Sequence, residues 1–190
     1  MFRSTGSSTR RCSFVETLLH PIPEPRELWV PAQIPTVAAW PAATEPLHTF
    51  VNAVLTPLVG EDCEDVCEEA LKDFPIALEP EPLCPSVLAL QLHRGPTLSF
   101  KDIGCRVAAA LHKKFLSEEK TQRVIVATSG DTGSAAASAF DRVCVLYPER
   151  RVSAFQQRQM GSCRQAVCLA VAADFDRCQG LAKDLLKTET

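Results

Sequence analysis

The sequence predicts an α/β fold, the start of a three-layer domain with a parallel sheet, preceded by a mostly helical N-terminal segment. Two observations carry this. After Pro96, continuously apolar runs alternate with helical stretches, the pattern of strands buried on both faces of a parallel sheet. At or before Pro96 lie thirteen of the fourteen prolines, which cut the first hundred residues into short elements joined by turns. The chain therefore divides into segments 1–95 and 96–190.

Within the first segment, Thr44 and Pro46 open a helix that runs through Leu58, and a second helix runs from about Glu61 to Phe74. Six acids between Glu61 and Glu69 read as a solvated helix face, favoured near an N-terminus by the macrodipole. A cation site is the sharper reading of those acids, but the EF-hand ligand spacing is missing. In the second segment a helix from Ser99 to about Phe115 precedes the apolar run Val124–Ala127. A helix from Asp131 to Arg142, a strand over Val143–Tyr147 and a helix over Ser153–Met160 follow. A strand over Ala166–Ala172 and a helix from Phe175 to about Leu186 complete the pattern. Crossovers between parallel strands of one sheet are expected to be right-handed.

Composition narrows the function. A net charge of −3 gives no electrostatic case for nucleic acid or an anionic membrane as partner. The longest apolar run, Ala166–Ala173, has eight residues, against the ~20 that span a bilayer. Nine cysteines include no Cys-x-x-Cys pair. Cys63 and Cys67, four apart and without a nearby His, share a helix face, and no metal site is expected. Cys144 and Cys168 fall in apolar strands and read as small buried hydrophobes. The first fifteen residues are rich in Ser, Arg and Thr and contain no acid, which is also the look of an organellar transit peptide. Glu16 and His20 interrupt the only candidate secretory core, so a reducing, cytoplasmic location is the expectation.

Two motifs carry chemistry. In Gly95-Pro96-Thr97-Leu98-Ser99-Phe100-Lys101-Asp102, Ser99 and Asp102 have capping-box spacing, which places Lys101 in the first helical turn. The positive end of the helix dipole disfavours a cation there and favours a neutral amine, the form that acts as nucleophile or base. Read locally, an exposed surface lysine is the alternative. The second motif, Ser129-Gly130-Asp131-Thr132-Gly133, lies between an apolar strand and an Ala-rich helix. Such a turn exposes backbone N–H groups and binds carboxylate or phosphate; a tight turn with Asp131 or Thr132 as N-cap is the plainer reading. The glycine spacing fits neither the dinucleotide fingerprint nor a Walker A loop. Both motifs fall where parallel-sheet ligand sites gather, at the carboxyl ends of strands.

Gly95 through Arg106 and the block Ala127–Ala135 resemble threonine synthase, a fold-type II pyridoxal-phosphate enzyme. The likeness continues through Val145-Leu146-Tyr147-Pro148, Arg151-Val152-Ser153, Gln159-Met160 and Phe175-Asp176-x-Cys178-Gln179. At the other end, Phe2-Arg3-Ser4-Thr5, Ser13-Phe14 and Leu28-Trp29-Val30-Pro31 look like the family's opening strand and turn. The resemblance implies a fold-type II domain in which Lys101 is the lysine joined to pyridoxal 5'-phosphate. That lysine would then shuttle protons at the substrate's α and β carbons. It further implies that Ser129, Gly130, Asp131, Thr132 and Gly133 hold the substrate carboxylate. The implied reaction converts O-phospho-L-homoserine and water to L-threonine and phosphate.

The sequence departs from the family in places. Pro25-Arg26-Glu27 stands where the family has an Asp-Gly-Gly turn, Arg94 replaces a histidine, and Arg150 replaces a glycine. Length departs most, because the chain stops at Thr190, before the family's Gly/Asn-rich loop that grips the cofactor phosphate. The chain therefore resembles an N-terminal portion, and a homo-oligomer or a complementing C-terminal half is a candidate partner. The rivals are a related phospho-lyase giving a 2-oxo acid and a non-catalytic remnant that binds a partner or dimerises.

Overall fold

A computed structural model describes residues 1–6, 10–23, 27–60, 63–75, 80–116 and 123–188. The chain gathers into two compact units, Met1–Asp73 with Ala110–Lys120, and Phe74–Ala109 with Thr121–Thr190.

The first unit opens with β1 (Phe2–Ser4), β2 (Arg11–Cys12) and β3 (Trp29–Pro31), an antiparallel sheet in the order β2-β1-β3. Phe2 faces Cys12 on one side and Pro31 on the other. Helix α1 (Phe14–Leu19) starts on a complete capping box, Ser13 with Glu16. Buried Ser4 donates its hydroxyl to the Glu27 carboxylate; Pro25 and Arg26, part of the divergent turn, lie outside the described residues. Helix α2 (Leu47–Val59) ends at Gly60, whose φ of 93° is the left-handed conformation that glycine accepts most cheaply.

Helix α3 (Glu64–Leu71) begins later than the sequence pattern indicated, with Cys63 as its N-cap. The Asn52 side chain explains the start, since its Oδ1 accepts the Cys63 N–H at 3.0 Å. Cys63 and Cys67 are fully buried with Val66 and Leu71. The acidic face is paired as well as solvated. Lys113 and Lys114 donate to Glu69 and Asp65 at 2.9 and 3.1 Å, and the Lys114 hydrogen bond holds the Asp65 carboxyl below its ordinary value. His48 Nε2 stands 3.3 Å from Glu64; Glu61 and Asp62 lie outside the described residues.

In the second unit β4 (Glu81–Cys84) and β5 (Val87–Ala89) form an antiparallel hairpin. Next in the chain is α4 (Lys101–Phe115), which belongs to the second unit up to Ala109 and to the first from Ala110. In the second unit β6 (Val124–Ala127), α5 (Asp131–Ala139), β7 (Val143–Pro148), α6 (Ala154–Ser162), β8 (Ala166–Val171) and α7 (Phe175–Thr188) follow. Strands β6, β7 and β8 form a parallel sheet in that order, with Val124 opposite Val143 and Val143 opposite Ala166. The expected alternation of strand and helix is therefore present. Helix α5 stops short of the predicted Arg142 because Phe140 is extended.

Central β7 shows why its residues are apolar throughout. Val143 and Val145 pack with Ala136, Ala137, Val152 and Met160 of the α5 and α6 layer. Leu146 packs with Cys178 and Ala182 of α7 on the opposite face. Helices on both faces make the three layers, and the Ala135-Ala136-Ala137 run lets α5 approach the sheet closely. Fully burying Val145 or Met160 contributes about 1.5–3 kcal/mol each. Cys144 and Cys168 are only partly buried rather than core residues, Cys168 packed against the first of these clusters and Cys144 against the second, on opposite faces.

Candidate functional site

Lys101 is the first residue of α4, and the turn before it is tightly held. Ser99 and Asp102 do not make a capping box. Ser99 Oγ accepts the Lys101 N–H at 3.3 Å, while the Asp102 carboxylate turns back to Thr97. Asp102 Oδ2 accepts the Thr97 N–H at 2.9 Å and Oδ1 accepts the Thr97 hydroxyl at 2.6 Å. The shorter aspartate arm reaches this nearer partner instead of the cap backbone. Asp102 is 1% exposed, so these bonds meet much of the cost of burying its charge.

Thr97 is also fixed through its carbonyl, which accepts from Gln159 Nε2 of α6 at 3.0 Å. Gly95 is required by close approach, since a Cβ there would run into the Asp102 carboxylate and the Phe74 ring. Leu98 adopts φ 60°, the only positive φ at a non-glycine residue among those described. The sequence held no signal for that conformation, which a leucine adopts only where neighbours over-determine it.

The second motif forms the turn from β6 into α5. Buried Thr128 organises it: Oγ1 accepts the N–H groups of Gly130 and Gly133, each at 3.0 Å, and donates to the Gly130 carbonyl at 3.0 Å. Two glycine N–H groups are thus consumed inside the turn. The N–H groups of Asp131 and Thr132 lie in the first turn of α5, where a helix offers no partner. A Cβ at Gly133 would stand 2.5 Å from Thr128 Cγ2, 2.7 Å from Met160 Sδ and 2.9 Å from Val145 Cγ1. Glycine is therefore the residue that lets this turn close against β7 and α6.

The two motifs meet. Lys101 Nζ stands 3.9 Å from Asp131 Oδ2 and 4.3 Å from the centre of the exposed Phe100 ring. The lysine side chain is 33% exposed, so its amine is reachable. On its other oxygen Asp131 accepts from Gln156 Nε2 at 2.6 Å. Ser129 is exposed and lines an open cleft of about 380 Å³ with Arg151, Asp174, Phe175 and Asp176, beyond the carboxyl ends of β6, β7 and β8. Asp174 Oδ1 accepts the Arg177 N–H at 2.9 Å and so caps α7. Cys105, one helical turn from Lys101, has its thiol pushed up by burial and by Asp102.

Thr128 and Gln156 were not singled out by the sequence, and Asp102 only as a capping partner of Ser99. For Gln156 the signal was available, as Ser153 and Gln156 have the spacing of a capping box. Among the described residues no group of three or more His, Cys, Asp or Glu could hold a metal ion.

Comparison with known proteins gives consistent results. A family model described as pyridoxal-phosphate dependent enzyme matches residues 76–190, more than half of the chain. Threonine synthase of Serratia marcescens is 34% identical over 148 residues, covering 71% of this chain and 33% of its own length. That of Pseudomonas aeruginosa is 30% identical over 200 residues, covering 95% of this chain and 42% of its own. The X-ray structure of pyridoxal-phosphate-bound threonine synthase from Brucella melitensis matches with a TM-score of 0.77 at 29% identity. That match covers 98% of this chain and 44% of the other. Threonine synthase from Escherichia coli gives 0.79 at 26% identity, covering 94% and 44%. The chain spans well under half the length of these relatives.

Proposed function

Since the chain belongs to the pyridoxal-phosphate dependent enzyme family, we propose that it carries the lysine-bearing part of a threonine synthase, a lyase acting on a phosphate ester. Its reaction is the conversion of O-phospho-L-homoserine and water to L-threonine and phosphate. Residues 96–190 are then part of the cofactor-binding α/β domain, and residues 1–95 the segment before it. The observation that carries this reading is the approach of Lys101 to the α5 turn, 3.9 Å from Nζ to Asp131 Oδ2, in a chain whose relatives are named threonine synthases. Those names favour it over a phospho-lyase giving a 2-oxo acid.

The residues present suit the cofactor. A partly exposed primary amine at Lys101 matches its aldehyde, and the turn supplies first-turn N–H groups with the hydroxyls of Ser129 and Thr132. Ser134, 1% exposed, has a buried Oγ with no hydrogen-bond partner among the described residues, a further polar group open to a ligand or water. When bound, pyridoxal phosphate supplies an electron sink for charge developing beside the substrate's amino group.

The protein's own residues do the rest. Backbone N–H groups of Asp131 and Thr132, aided by the α5 dipole, receive the substrate carboxylate. Ser129 Oγ and the glycines Gly130 and Gly133 shape that seat, and Lys101 Nζ takes and returns protons at the α and β carbons. The Phe100 ring covers the amine on one side and limits water there. No disulfide joins any of the nine cysteines, all of which lie among the described residues, and this suits a reducing cytoplasm. No helix among the described residues is long and apolar enough to cross a membrane. Exposed Val167 and Leu169 on β8 suit contact with further polypeptide of the family fold, from the same or another chain.

Product analysis tests the reading. With pyridoxal phosphate and O-phospho-L-homoserine, appearance of threonine with phosphate supports it. 2-Oxobutyrate in its place would assign the rival chemistry, and cofactor capture without either product would leave a binding module.

A further inference from the structure

Gln156 makes two sets of bonds with the two ends of one amide. Its Oε1 accepts the Ser153 N–H at 3.2 Å and the Ser153 hydroxyl at 2.9 Å, completing the cap of α6. Its Nε2 donates to Asp131 Oδ1 at 2.6 Å, 25 residues away in α5. The amide sits tight against the turn, for a Cβ at Gly130 would stand 2.7 Å from Nε2. With Oδ1 held there, the other oxygen of Asp131 faces Lys101 Nζ at 3.9 Å.

We propose that Gln156 is a positioning residue, which turns the Asp131 carboxylate toward the Lys101 amine. A capping box accepts Glu as readily as Gln. Only Gln combines the cap's acceptor with a donor for a carboxylate, because a Glu carboxylate beside Asp131 would repel it. The donor end of the Gln156 amide on α6 therefore orients a side chain on α5, and through it the surroundings of an amine on α4, while its other end closes the cap. The groups facing that amine are Asp131 and, through Asp131, the neutral Gln156 amide, with Phe100, Asp102 and Cys105 nearby on its own segment. The significance of this arrangement rests on Lys101 being the reactive lysine, but its test does not.

The test is competitive labelling of lysine amines with heavy and light acetic anhydride at pH 8, read by peptide mass spectrometry without cofactor. Asp131→Asn is introduced into the wild type, Gln156→Ala and Ser153→Ala, with a thermal melt of each variant. In the wild type, Asp131→Asn is expected to raise Lys101 labelling about twofold, the scale of a part-exposed ion pair. Ser153→Ala weakens the cap but leaves the Gln156 donor, and the same rise should persist. In Gln156→Ala the rise should vanish, since Asp131 is no longer turned to the amine. An equal rise in that background, or none in the wild type, overturns the proposal. If Gln156→Ala does not melt cooperatively, Gln156→Glu keeps the cap acceptor and takes its place in the cycle. If labelling behaves as expected while pyridoxal phosphate fails to attach at Lys101, the functional reading fails and the positioning role stands.

Discussion

Gly133→Ala and Gly180→Ala are the same chemical change and should move stability in opposite directions. At Gly133 the new Cβ would meet Thr128 Cγ2, Met160 Sδ and Val145 Cγ1 at 2.5, 2.7 and 2.9 Å. All three neighbours are buried, with Met160 and Val145 fully enclosed, so none can swing aside into solvent. Overpacking of this kind costs about 1–3 kcal/mol. For a chain of this length, each kcal/mol moves the melting temperature by roughly 2–4 °C, so a loss of about 4–8 °C is expected for the middle of that range. Gly180 lies inside α7 with nothing within 4 Å of its Cβ position. Alanine there saves backbone entropy and should stabilise by about 0.5–1 kcal/mol. Urea denaturation with a fitted slope, alongside thermal melts, measures both. A neutral or stabilising Gly133→Ala would refute the close packing of the α5 turn against β7 and α6.

Three further outcomes are expected. Gly60→Ala should destabilise by about 1 kcal/mol in urea although its surroundings are open, because the φ of 93° is unfavourable for any Cβ. Asp102→Asn removes the charge from both Thr97 bonds and should cost about 1–3 kcal/mol, with equal loss of urea midpoint in the Thr97→Val background arguing against a direct coupling. Burial pushes the thiols of Cys105, Cys144, Cys168 and Cys178 above the ordinary value of 9.0. The unfolded chain therefore loses these protons first, so stability should be intact below pH 9.0 and decline as pH rises above it. Thiolate absorbance near 240 nm should appear at lower pH in urea than in the native protein; coincident curves would contradict the burial.

The second half of the fold was legible because its strands are continuously apolar. Central Val143–Pro148 is packed on both faces and needs apolar side chains there, and its neighbours Val124–Ala127 and Ala166–Val171 are apolar throughout although Val167 and Leu169 of β8 are exposed. The β4–β5 hairpin was not legible, since strands of four and three residues that include Pro82 have no periodicity to detect. In the site, Lys101 and the Ser129–Gly133 turn stood out by their residue types and neighbours. Thr128 and Gln156, which help hold them, did not, because they act through hydrogen bonds whose partners only the fold brings within reach. Asp102 also shows how spacing misleads: the capping interval with Ser99 was present, yet its carboxylate found Thr97 closer.

Capture of pyridoxal phosphate by borohydride reduction, followed by peptide mapping, bears most directly on the assignment of Lys101. One modified lysine, at residue 101, with the label absent from Lys101→Ala, is the predicted result. Label spread over several lysines, or persisting in Lys101→Ala, would contradict it.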